Sequence, residues 1–234
     1  MKRVAFFIFL MSIAPLIKAQ VDIGAGVEVG FPLMFNGLVK GHNHASGAPG
    51  ARVAINYTPK EGIFTGSLVA GISPMILPML KFNNGQDVLY MNFTNVNLTL
   101  LGRFRKEMNN DAQLLYGIGV GANFLKGNKV QISKRSDNDI SRVIEDSSLY
   151  NSATLPAFYL NLEYIRPLNK QSKVYYGIGV QLHYIYFLDQ GNTYRIDIID
   201  KNFQYFSLQP ELVGHMINPM VFLNLYYRPG KGKN

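Results

Sequence analysis

The stretch that decides the fold runs from Gln113 to Phe124, "QLLYGIGVGANF". Its core, "YGIGVGANF" from Tyr116, returns as "YGIGVQLHY" from Tyr176, 60 residues on (176 − 116). Glycines so spaced invite comparison with a phosphate-cradling loop. A dinucleotide fingerprint, however, needs G-x-G-x-x-G between a strand and a helix, where the pyrophosphate meets the helix N-terminus. Here Gly117, Gly119 and Gly121 recur at intervals of two, and more alternation follows with no capped amphipathic helix. A period of two belongs to a strand, whose successive side chains point to opposite faces. One face reads Leu114, Tyr116, Ile118, Val120, Ala122, Phe124; the other reads Gln113, Leu115, Gly117, Gly119, Gly121, Asn123.

Seven further segments alternate in the same way. They start near Val21, Ala51, Phe64, Asn95, Ala157, Val174 and Val221, which makes eight with the first. Short connections lie at Pro59–Gly62, around Lys106–Asp111 and at Pro167–Ser172. Long ones lie at 35–50, 74–87, 126–151 and 188–206. Turns short at one end and long at the other are the rhythm of an outer-membrane barrel. The faces agree. A soluble barrel hides its apolar face, whereas here one face is large and aromatic-rich and the other is Gly, Asn, Thr, Gln, Arg and Glu. An eight-stranded barrel has an interior just wide enough for side chains to fill, so the small and polar face goes inside. The expectation is an all-β, eight-stranded antiparallel up-and-down transmembrane β-barrel with no porin-class conductance. Tyr57, Phe104, Tyr164 and Tyr227 at strand ends, with Phe64, Tyr116 and Tyr176 at strand starts, predict an aromatic girdle at the short-turn end. Prolines 210 and 219 predict a bulge near Pro219, because proline removes a ladder hydrogen bond.

The N-terminus reads as a secretory signal peptide: Lys2 and Arg3, an apolar run from Val4 to Ile17, and a cut after Ala19. The expected domains are this leader, 1–19, and a barrel domain, 20–234. Gln20 follows the cut, so no lipidated cysteine is expected. The absence of cysteine from the whole chain also excludes disulfides, thiolate metal sites and cysteine catalysis. Net charge falls from +8 to +5 (8 − 3) once Lys2, Arg3 and Lys18 are removed, a balance suited to anionic head groups.

The signal ending "KAQ", the repeated "YGIGV" and the closing strand "VFLNLYY" carry a resemblance. The chain resembles the outer-membrane β-barrel domain family, in particular its PorT-like and OmpX-like small members, over nearly the whole mature sequence. That resemblance implies an integral outer-membrane protein with both mature termini periplasmic. It implies a non-enzymatic scaffold in the cell envelope: an accessory subunit of a secretion or envelope-assembly machine on the PorT-like side, adhesion or envelope integrity on the OmpX-like side. The implied partners are outer-membrane lipid, lipopolysaccharide and proteins of an envelope complex, with no nucleic acid. Family members often finish on an aromatic residue; here Tyr227 is followed by "RPGKGKN".

The candidate sites are few. Charges on the inward face must pair, since a lone buried charge costs several kcal/mol. Glu28, Arg52, Arg103, Glu163 and His183 are therefore expected to form an interior polar network, with Glu28–Arg52 on neighbouring strands. The apolar stretch at Met75, Ile76, Leu77, Met79 and Leu80 is expected as a loop that meets a partner or folds over the mouth. Lys129, Lys134 and Arg135 are candidates for lipid phosphate. His42 and His44 are too few ligands for a metal site. His44 with Ser46 resembles the His-x-Ser element of lipid A deacylase barrels but lacks an orienting carboxylate, as nucleophilic chemistry requires. No catalytic residue, cofactor or metal is expected.

Overall fold

A computed structural model describes residues 19–35, 48–59, 62–82, 87–133, 140–145, 152–169, 172–187, 196–200, 205–208 and 214–229. Residues 1–18 of the expected leader (1–19), and His42, His44, Ser46, Lys134 and Arg135, lie outside them. In chain order the strands are β1 (Ala19–Gly30), β2 (Leu33–Phe35), β3 (Ala48–Pro59), β4 (Phe64–Phe82), β5 (Asp87–Glu107), β6 (Gln113–Ser133), β7 (Ile140–Glu145), β8 (Ser152–Pro167), β9 (Val174–Phe187), β10 (Ile196–Asp200), β11 (Tyr205–Leu208) and β12 (Gly214–Tyr227). One short 3-10 turn, Asn109–Asp111, joins β5 to β6; Asn110 and Asp111 there adopt the left-handed conformation that their side chains tolerate.

Neighbouring strands pair antiparallel in the order β1, β3, β4, β5, β6, β8, β9, β12, and β1 pairs back onto β12 from Ile23↔Tyr227 to Gly30↔Met220. The barrel is closed, with eight strands. Closure removes every free edge from the membrane-crossing wall, which satisfies backbone groups that lipid could not. β2 extends β1 along β12 in unbroken register (Gly30↔Met220, Leu33↔Ile217).

The period of two sorts the side chains. Ile118, Val120, Leu160, Ile178, Val180 and Leu223 point outward and are exposed on the barrel surface; Asn97, Arg103, Asn161, Glu163, Gln181 and Asn224 point inward and are buried. The apolar face is thus the outer one, suited to lipid. At the short-turn end Phe64 meets Phe104 edge to face and Phe104 meets Tyr116 at a tilt, with ring centroids 6.0 and 5.8 Å apart.

Three expectations are corrected. The stretch 74–82 is not a loop: β4 runs to Phe82 and pairs with β5 out to Phe82↔Asp87, with a register shift at Pro78/Leu80. Met75, Ile76, Leu77, Met79 and Leu80 therefore stand on a strand. β6 likewise continues to Ser133, so Lys129 is on a strand, and β5 and β6 remain paired out to Val88↔Ser133. Together β4, β5 and β6 form a three-stranded tongue that outruns β3, whose pairing with β4 stops at Ile72, and β8, whose pairing with β6 stops at Lys126. Finally, no bulge occurs at Pro219. The β9–β12 register is continuous through Leu182↔Pro219. On the other side Phe31 N–H donates to the Pro219 carbonyl at 2.9 Å. The proline costs only the return bond and leaves the register intact. Beyond the wall, β7, β10 and β11 form a separate sheet in the order β11-β10-β7.

Candidate functional site

The lumen is stratified. Nearest the short-turn end, Arg228 grips Asp22 through two bonds of 2.7 and 2.8 Å and lies 4.0 Å over the Tyr175 ring. The Thr58 and Thr65 hydroxyls meet at 3.1 Å beside them.

Above that layer Arg103 is the hub. Its Nη1 donates to Glu163 Oε2 at 2.6 Å and to Asn161 Oδ1 at 3.1 Å. Its Nη2 donates to Asn56 Oδ1 at 2.7 Å and to Ser67 Oγ at 2.6 Å. Glu163 Oε1 accepts from Tyr226 Oη at 2.7 Å and from Asn224 Nδ2 at 3.0 Å. Arg103 and Glu163 are 1 % and 0 % exposed, so each charge survives burial only because the other and these amides solvate it. This chain ties β3, β4, β5, β8 and β12 together across the lumen.

The repeated glycines make that chain possible. Register places Gly117 between Arg103 on β5 and Asn161 on β8. With no side chain there, the guanidinium crosses β6 to reach a strand that is not its neighbour. Gly177 on β9 does the same for the second half: a Cβ on it would meet Glu163 Oε1 and the Tyr226 ring. Both "YGIGV" copies clear floor space for one ion-pair network.

Higher still, Arg52 lies 3.7 Å from Glu28, 3.9 Å over the Phe222 ring and 3.4 Å from Gln181 Oε1. His183 is 1 % exposed, and its ring meets the Tyr159 ring edge-on at 4.5 Å. Neither His183 nitrogen has a hydrogen-bond partner among the described residues, and the same holds for Oδ1 of Asn95, Asn123 and Asn218. The five residues expected inside are thus inside, but as two groups: Arg103–Glu163, densely bonded, and Glu28–Arg52 with His183, loosely bonded.

Toward the long-connection end the inward positions become apolar. Met75, Phe93, Leu125, Leu155, Ile185 and Met216 are all buried. This layer was missed from the sequence because its members are scattered over separate strands, and each is only one inward position in an alternating run. Met75 faces this interior, so it is not offered to a partner; Ile76, the next residue, is half-buried on the opposite face. Among the described residues no group of three His, Asp or Glu side chains could hold a metal. No His–carboxylate–hydroxyl set assembles there either.

No family model matches the chain, and no curated protein matches it. Solved structures do. The Neisserial surface protein A, NspA, superposes with a TM-score of 0.54 over 90 % of this chain and 98 % of its own, at 6 % identity. A major outer membrane protein from Thermus thermophilus gives 0.52 over the same shares, at 12 % identity. The fold is that of the small outer-membrane barrels. At such identities the likeness is one of architecture: a small outer-membrane barrel can keep its wall while its lumen and ends diverge, and the Arg103 network is described from this chain alone.

Proposed function

We propose that this small outer-membrane barrel is an integral, non-enzymatic scaffold of the cell outer membrane that works by binding at its long-connection end. The observation that carries this reading is the lumen. Among the described residues it holds in turn an Asp22–Arg228 pair, the Arg103–Glu163 network, the Arg52–Phe222 stack and an apolar layer. A filled barrel leaves no aqueous channel, so function falls to the ends. At the short-turn end the described connections are brief, such as Asn109–Asp111. The other end carries the β4–β6 tongue and the β7–β10–β11 sheet. Recognition usually sits on such elements above a rigid wall.

With eight crossings, both mature termini lie on the short-turn side, which we place in the periplasm. The tongue and sheet then face outward, where lipopolysaccharide and proteins of the envelope are within reach. Of the two roles the family resemblance implies, the tongue fits an accessory to an envelope complex, because its outer strands β4 and β6 have no pairing there among the described residues and can accept a partner's strand. Cross-linking from native membranes tests this. A protein partner captured at Ile76 on β4 or along 127–133 on β6, the outer strands of the tongue, and lost when the tongue is cut back to Ser73 and Asn95, supports the accessory role. A cut tongue that changes no partner and no envelope phenotype overturns it, and capture of host surface molecules instead supports adhesion.

A further inference from the structure

One histidine faces the wrong way for a core residue. His215 on β12 shares the outward parity of Val221, Leu223 and Leu225 and is exposed. Register sets it opposite Tyr186 on β9 and Phe35 on β2. Tyr184 Oη lies 2.6 Å from its Nδ1, and the Tyr184 and Tyr186 rings lie 5.7 and 5.0 Å from the imidazole. No charged side chain of β2, β9 or β12 faces it among the described residues.

Its height follows from strand geometry. Tyr227, in the short-turn girdle, is twelve residues from His215 on the same strand (227 − 215). At about 3.3 Å per residue and about 40° of tilt this is roughly 30 Å along the membrane normal, the thickness of the hydrocarbon core. His215 therefore sits at the far boundary of the acyl region, among head groups. The two tyrosines flanking it are the residue type that anchors there.

The hydrogen bond occupies Nδ1, which leaves Nε2 as the ring nitrogen open to a ligand. With Tyr184 O–H as the donor, the ring proton is on Nε2. That N–H has no partner among the described residues, and it is an expensive group to leave unbonded at a lipid surface. The Tyr186 ring packs against the other flank of the site, 5.0 Å from the imidazole.

The geometry points to a binding site for the phosphate of an outer-leaflet lipid head group at His215 Nε2–H, flanked by the Tyr186 ring, with Tyr184 as the positioning residue. The site rests on the reading that the long-connection end lies at the outer membrane surface. It is independent of any protein partner.

The test is solid-state NMR of the full mature chain, labelled with ¹⁵N-histidine, in two bilayers: phosphatidylglycerol alone, and phosphatidylcholine carrying lipid A. A third sample uses bilayers of a phosphate-free glycolipid with inorganic phosphate added. The His215 signal is identified by its loss in His215→Gln, a variant whose folding is checked by its heat-dependent mobility in SDS. Dephasing of the His215 Nε2 signal by ³¹P is expected in the first two samples and lost in neither; dephasing with lipid A alone narrows the ligand to that lipid. Dephasing only with inorganic phosphate, or only a contact to ester carbonyl carbon, overturns the proposal. Acyl-chain contacts at Leu223, read in a separate sample labelled with ¹³C-leucine, with no ³¹P dephasing at His215 would overturn this site while leaving the membrane reading standing. Absence of acyl-chain contacts would overturn the membrane reading itself.

Discussion

Arg103 shows what a single residue does here. Its guanidinium meets four acceptors from β3, β4 and β8 and is 1 % exposed. Removing it strands the Glu163 charge in a dry interior, which costs about 3–5 kcal/mol. Arg103→Leu should lower unfolding stability by that order in detergent micelles with urea. Glu163→Gln should destabilise as well, because it leaves the Arg103 charge without its partner and turns an amide NH2 group toward the Tyr226 and Asn224 donors. No loss on Glu163→Gln would show that the charge pair is not what matters. Glycine gives a second test. A Cβ on Gly117 would collide with the Gly102 carbonyl and the Arg103 Cα, both backbone, so Gly117→Ala should destabilise by about 1–3 kcal/mol. At Gly66 a Cβ meets nothing within 4 Å, so Gly66→Ala in the same assay should change stability little. That the glycines are one face of a strand was legible in their spacing. What they make room for was not. Arg103 and Glu163 pair across a skipped strand, and only the register of three strands reveals it.

Among the elements, the tongue marks where the sequence stopped being readable. From Ser73 to Phe82 the chain reads "SPMILPMLKF", with two prolines and no alternation. It pairs nonetheless, because Pro74 and Pro78 stand where β4 has lost β3 as a neighbour, and a proline is tolerated on an edge. The register shift at Pro78/Leu80 breaks the period of two that would have betrayed the strand. Hydrogen exchange can check the correction. Amides of 75–77 and 91–95 that bond within the β4–β5 ladder should exchange far more slowly than a loop's. Exchange complete within seconds would return the stretch to the loop that its composition suggests. The barrel strands themselves were legible because each keeps its alternation for the length of a membrane crossing.

At the scale of the whole molecule, polar and apolar surface are inverted relative to a soluble barrel. Outward Ile118 is 68 % exposed while inward Glu163 is 0 % exposed. Such a wall is stable only where lipid covers it. With the lumen filled, purified protein in planar bilayers should show no steady large conductance steps, and such steps would mean that the interior network opens. The most direct measurement of the central claim uses the chain's lack of cysteine. Single cysteines placed in turn along Tyr159–Leu162 of β8 and Val180–His183 of β9 carry a spin label, in protein reconstituted in lipid bilayers. Collision with oxygen, which concentrates in lipid, should alternate with a period of two: high at 160, 162, 180 and 182, low at 159, 161, 181 and 183. High oxygen collision at 159 and 161 with low values at 160 and 162, or no alternation at all, would contradict a closed barrel with its apolar face to lipid.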